Sequence, residues 1–362
     1  MTSHASPIRF ECAPTAVAAG GRSLAAPVPA YWHRIQDVLL AAGVLLVVTL
    51  LLWPAVGLSL MWNGLIPLAP ALLVVAPGLW RNVCPMASVS QLARRWGLSW
   101  EAVLPRQASH LLAALALAAL LIIVPLRHLS LDTDGPMTAL MLVLSALIAF
   151  AMGMAYQGRS GWCNSLCPIH PAEKLYGQMP ALTLANARCQ DCRQCAVPCP
   201  DSTRSMSPAV SGPTRLERAV GHLMIGGFVG FVWGWYRLPD FAGPVGADEI
   251  AAAYLWPFGC GLGTLAIYAA AYHGLYRSRA ERRLLARLFA AAAVATYYWY
   301  RIPALTGFGP HPGSGMLVDL TASLPALPLV SHLVTTAFFA WFLLLRQDPR
   351  ASWLRRPPIP ER

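Results

Sequence analysis

The chain has 362 residues, 56% hydrophobic and only 12% charged, with a mean hydropathy of +0.51. That leaves too little polar surface for a water-soluble protein of this size and places the chain in a membrane. The formal charge of +11 is spread over alternate loops, and no basic helix carries base-reading side chains, which argues against a nucleic-acid partner.

Residues 1–34 mix Ala, Pro and Ser without the charged start and apolar core of a signal peptide, and read as a disordered tail. Eight apolar stretches long enough to cross a bilayer follow, at about 35–54, 58–80, 108–127, 136–156, 219–238, 252–275, 284–302 and 327–345. In the seventh, the run from Tyr297 to Arg301 reads as an interfacial aromatic belt. With eight spans, 24 of the 27 Lys and Arg residues fall on one face, leaving Arg127, Arg237 and Arg301 on the other. Because Lys and Arg gather on the cytoplasmic side, both termini are predicted to be cytoplasmic. The expected fold is an all-α polytopic membrane protein with about eight transmembrane helices and a small ferredoxin-like cytoplasmic loop. Its parts are the tail 1–34, a membrane half 35–157, the loop 158–215, a second membrane half 216–345 and a tail 346–362.

The second span ends in Trp80-Arg81-Asn82-Val83-Cys84-Pro85, and the segment from Ser88 to Leu98 has the pattern of an amphipathic helix lying on the lipid surface with Arg94 and Arg95 toward head groups. The fourth span ends in Gly161-Trp162-Cys163-Asn164-Ser165-Leu166-Cys167-Pro168. Aligning the two Cys-Pro corners sets Trp80 opposite Cys163 and reads as a weak internal duplication of a two-helix hairpin. Cys163 and Cys167, four apart, would share one face of an α-helix. In the sixth span, the run from Trp256 to Gly261 predicts a kinked or closely packed helix.

Between the fourth and fifth spans stands Cys189-Gln190-Asp191-Cys192-Arg193-Gln194-Cys195-Ala196-Val197-Pro198-Cys199-Pro200. Its C-x2-C-x2-C-x3-C-P spacing is the bacterial ferredoxin run, in which clustered thiolates grip a [4Fe-4S] cubane and the last cysteine can cross to another cluster. A zinc knot or a disulfide pair are the alternatives, and neither favours an unbroken triple with a trailing Cys-Pro. The candidate ligands are Cys189, Cys192, Cys195 and Cys199, then Cys163 and Cys167, then Cys84, all on the side where thiols stay reduced. Two full cubanes need eight thiolates and seven are well placed, so one cluster is expected and a second stays open. Cys12 in the tail and Cys260 within a span read as bystanders. His110, His222 and His273 near helix ends offer no repeated axial pattern, so haem is not expected.

The Gly161 to Pro168 corner, its partial copy Arg81 to Pro85 and the run at Cys189 to Cys199 resemble the membrane-bound polyferredoxins associated with periplasmic nitrate reductase, the nitrous oxide reductase regulator and cytochrome oxidase maturation. The likeness covers about residues 35–215. It implies a bacterial inner-membrane carrier that passes single electrons through [4Fe-4S] clusters to or from a redox partner protein or the quinone pool. It equally implies an assembly or regulatory factor for a metalloenzyme. The chain departs from that family in having a single ferredoxin run and Trp80 where the first corner would carry a cysteine.

Overall fold

The computed structural model describes residues 30–157, 161–189, 214–241, 243–311, 315–347 and 353–355. Helices α1 (Tyr31–Leu52) and α2 (Pro54–Val75) form a first hairpin, followed by the short helices α3 (Pro77–Val83) and α4 (Pro85–Arg95). Helices α5 (Gln107–Leu131) and α6 (Gly135–Ala155) form a second hairpin, followed by the π-wound turn Trp162–Leu166 and α7 (Ile169–Tyr176). The remaining helices are α8 (Arg215–Trp235), α9 (Ala247–Gly274), α10 (Arg279–Leu305) and α11 (Leu327–Leu345). Two short strands, β1 (Leu184–Ala185) and β2 (Leu354–Arg355), pair in parallel.

Six of these helices, α1, α2, α5, α6, α9 and α11, are long and apolar enough to span a bilayer, which makes this a multi-pass membrane protein. The other two expected spans are also helices, but of a different kind. Five glycines and the opening Arg215, Glu217 and Arg218 dilute α8, while α10 opens with Arg279, Glu281, Arg282 and Arg283. Both carry long buried faces, from Val220 to Trp235 and from Leu285 to Ala304. Surrounded by protein, they need less apolar surface than a lipid-facing helix.

Small residues decide how closely helices approach. On α8, a Cβ at Gly230 would overlap the carbonyl oxygen of Cys260, so α8 and α9 meet backbone to backbone. This is the close packing expected around Trp256 to Gly261. The run at Tyr297 to Arg301 departs from the expected lipid-facing belt. Tyr298 and Arg301 are buried, and the Tyr298 hydroxyl donates to Pro67 O at 2.6 Å and accepts from Ala71 N at 2.9 Å. It thereby inserts into the backbone ladder of α2 beside Pro70.

The segment after the first corner also departs from expectation. In α4 the residues Ala87, Ser88, Ser90, Gln91 and Ala93 are buried against protein. It packs against α6, where a Cβ on Gly153 would overlap Ser90 O. Arg95 turns to α1, donating to Gln36 Oε1 at 2.9 Å and Asp37 Oδ1 at 3.3 Å. The apolar stripe of α4 was legible, but its polar side finds partners in the protein and so is not left to head groups.

The two hairpins are related by an exchange. α4 follows the first corner and packs on α6 of the second hairpin, whereas α7 follows the second corner and packs on α2 of the first. Each tail also touches the first helix of its own hairpin, α4 on α1 and α7 on α5. The weak repeat in the sequence is thus matched by a repeated arrangement, with the tails crossed over.

Candidate thiol site

The two Cys-Pro corners have nearly the same backbone. Cys84 ends α3 at φ −55°, ψ 119°, and Cys167 ends the π-wound turn at φ −62°, ψ 122°. Proline follows both, and disfavours helical dihedrals for the residue before it, so the chain must turn there. Cys163 and Cys167 are not on an α-helix as their spacing implied. Leu166 and Cys167 donate to the carbonyls of Gly161 and Trp162, five residues back, and this wider winding closes the turn.

Crossing the tails brings three predicted thiols together. Cys163 is buried with Ala87, Ala149 and Trp162, and Cys84, Cys167, Met86 and Met152 pack on that cluster. Ser90 Oγ lies 3.7 Å from Cys163 Sγ. Burial pushes the Cys167 thiol well above its usual range, and the neighbouring Cys84 and Cys163 add to the rise. A thiolate in such a place needs a compensating positive charge, which a coordinated metal supplies.

Cys189 follows a segment that is pinned to the end of α3. Asn82 Nδ2 donates to Ala185 O at 2.7 Å, and Ala187 N donates to Asn82 Oδ1 at 3.1 Å. Arg188, fully buried, donates to Cys84 O at 3.0 Å, Asn82 O at 3.1 Å and Ser88 Oγ at 3.0 Å. Its guanidinium therefore satisfies carbonyls left open where α3 ends. Cys192, Cys195 and Cys199, with Cys12, lie outside the described residues. None of the five described cysteines forms a disulfide. Among the described residues no group of three or more His, Cys, Asp or Glu side chains is placed to hold a metal ion.

A buried polar network sits beside the thiols. Arg81 donates from Nε to Glu173 Oε1, from Nη1 to Asn164 Oδ1 at 2.8 Å, and from Nη2 toward His170 Nδ1 at 3.1 Å. Burial alone would raise the Glu173 carboxyl, but the Arg81 charge and the hydrogen bond from Arg81 hold it at about 2. Burial lowers His170 to about 4, against the opposing pull of Glu173, so its ring is neutral near pH 7. The chain end covers this network. Trp353 is fully buried, donates from Nε1 to Gly177 O at 2.7 Å, and has Lys174 Nζ 4.3 Å from its ring centroid.

Sequence reasoning named the cysteines but missed Arg81, Glu173, Arg188 and Trp353. For the first three a signal existed, since each is a charge close to a Cys-Pro corner or to the ferredoxin run. Nothing local marks Trp353. Of the histidines weighed as haem ligands, His110 pairs with Glu217 at 2.8 Å, and His222 and His273 stack at 6.3 Å between ring centroids. Cys260 sits on α9 beside Leu255, Trp256 and Gly259, outside the thiol cluster.

Comparison with known proteins adds no relative: the chain matches no family model, no curated protein and no solved structure.

Proposed function

We propose that this chain is a membrane-anchored electron-transfer protein that holds at least one [4Fe-4S] cluster on its cytoplasmic face, with the loop thiols Cys189, Cys192, Cys195 and Cys199 as the principal ligands. The observation that carries the reading is the meeting of Cys84, Cys163 and Cys167, drawn from two separate hairpins, at the corner where Arg188, the residue before Cys189, donates to Cys84 O. Cys163 is buried, Cys84 and Cys167 pack partly buried against the same cluster, and none of them is in a disulfide, which is the chemistry a cluster requires of its ligands. With Cys199 crossing over, as the last cysteine of such a run does in two-cluster ferredoxins, the corner trio would have four ligands for a second cluster and the loop would keep three, seven thiolates against the eight that two full cubanes need. A cluster bound there supplies one-electron transfer. The chain's own residues exclude water with Trp162, Met86 and Met152, and set the local charge with Arg81, Arg188 and Glu173.

The donor or acceptor is a redox partner protein or the quinone pool of a bacterial inner membrane, with both termini cytoplasmic. The other reading, a factor that assembles or regulates a metalloenzyme, has no observation of its own in its favour. The test is iron and acid-labile sulfide analysis with EPR on anaerobically purified protein. About four irons per chain is the outcome for one cubane and about eight for two. Zinc without sulfide would overturn the reading.

A further inference from the structure

Three basic residues depart from the one-sided distribution of Lys and Arg, and their surroundings differ. Arg237 is exposed, with its guanidinium 4.1 Å from the Trp233 ring centroid. Arg127 is buried and paired with Asp132 through two hydrogen bonds of 2.9 and 3.0 Å. Arg301 is equally buried, at 6% exposure, but among the described residues no carboxylate pairs with it. Its Nη2 donates to Trp62 O and Asn63 Oδ1, both uncharged, and its Nε has no partner among the described residues.

Arg301 lines a cavity of about 470 Å³ enclosed by the α1–α2 turn, the end of α5 and the segments after α8 and α10. This cavity lies at the other end of the helices from the thiols. Ser109 at the start of α5 bonds Ser165 beside Cys163, while His128 near its end lines the cavity. At about 1.5 Å per residue, the stretch between them is about 28 Å, close to one hydrocarbon thickness. His311 Nε2, in the same wall, is a second buried nitrogen without a partner among the described residues.

The remaining groups of the cavity are already engaged. His128 faces Asp240 at 2.7 Å and Trp235 O at 2.9 Å, so its nitrogens are both occupied. The indole N–H groups of Trp62 and Trp235 donate to Leu131 O and Val124 O. Arg127 sits over both indole rings, 4.2 and 4.7 Å from their centroids, and His128 stacks on Trp235 at 4.3 Å. The cavity thus offers no empty slot between these two rings for a planar guest. The wall also carries two carboxylates, Asp132 held by Arg127 and Asp240 facing His128, which leaves Arg301 as the cation with no carboxylate paired to it and two buried nitrogens unmet among the described residues.

A buried cation without an acid partner is costly in a membrane protein and marks a functional position. The geometry points to this cavity as a binding site for a small anion with carboxylate-like or phosphate-like acceptor oxygens, held by Arg301 Nε and His311 Nε2. The anion is either free in solution or the phosphate of a lipid head group. This site is independent of any cluster at the thiol corner.

The test uses full-length protein and the variants Arg301→Gln and His311→Gln. In maltoside detergent at constant ionic strength, calorimetric titration with inorganic phosphate and with acetate reads the free-anion source. Native mass spectrometry of the same proteins from phosphatidylglycerol and phosphatidylcholine nanodiscs reads the lipid source. The expected result is saturable binding in one arm that weakens about tenfold or more in both variants, while helicity and iron content hold. If Arg301→Gln fails to fold, His311→Gln alone decides by the same criterion. No saturable binding in either arm, or binding that the folded variants retain in full, would overturn the site.

Discussion

Arg81 donates a 2.8 Å hydrogen bond from Nη1 to Asn164 Oδ1, and the two residues hold equivalent places, each three before the cysteine of a Cys-Pro corner. The contact therefore joins the two halves of the internal repeat at matching points. Arg81 also reaches Glu173 on α7, 92 residues away, so one guanidinium ties both corners to a crossed tail.

Glu173→Ala should leave the Arg81 guanidinium buried at 2% exposure without its carboxylate. Removing one partner of a buried pair costs about 3–5 kcal/mol. The expected outcome is a large drop in thermal midpoint in detergent, with Glu173→Gln intermediate because it keeps one acceptor. An unchanged midpoint in the Ala variant would show that the pair contributes nothing.

Acid should weaken the same region in two stages. His170 and Glu173 are both held below their ordinary values, so the unfolded chain takes up each proton first and stability falls as pH drops. For His170 the loss runs from 6.5 down to about 4, and for Glu173 from 4.5 down to about 2. Thermal midpoints measured from pH 8 to pH 4 should be flat above about pH 7 and decline below it. In His170→Gln the upper stage should disappear.

Removing the Trp353 side chain should uncover the polar network from the other side. Trp→Ala at a fully buried site costs about 3–5 kcal/mol, and the hydrogen bond to Gly177 O is lost as well. Limited proteolysis should then cut the chain end faster than in the unmodified protein, a difference visible on a gel. Equal rates would mean that this end is not docked.

The approach of α4 to α6 depends on Gly153. Gly153→Ala must push the helices apart, since its Cβ would overlap Ser90 O, and overpacking of this kind costs about 1–3 kcal/mol. Gly259→Ala on α9 faces open space and serves as the control, with an expected midpoint equal to or above that of the unmodified protein, since Ala is favoured over Gly inside a helix by up to about 1 kcal/mol.

The cysteines should divide by position. Cys163→Ser and Cys167→Ser should lower the iron bound per chain, whereas Cys260→Ser on α9 should leave it unchanged. Iron analysis of the three purified variants decides the matter, and iron loss in Cys260→Ser would refute the assignment.

Much of the architecture was legible before the structure, and for local reasons. A run of apolar residues makes a spanning helix wherever it occurs, and proline after Cys84 and Cys167 turns the chain in both places. The spacing of the cysteines is likewise a property of adjacent residues. The seventh and fifth expected spans were less legible because burial inside the bundle, and not contact with lipid, sets their composition: Tyr298 bonds Pro67 and Gly230 meets Cys260. The protein partners of α4 were hidden for a similar reason, since an amphipathic pattern states that one face is buried without saying against what.

By itself, then, the sequence determined a helical membrane protein, two like corners and the positions of the thiols along the chain. Only the tertiary structure decided that the tails cross, that Arg81 finds Glu173, that Trp353 closes over both, and that Arg301 is buried with no carboxylate paired to it among the described residues. Those pairings join residues tens to hundreds of positions apart. No local periodicity encodes them, because they arise from how completed helices fit together.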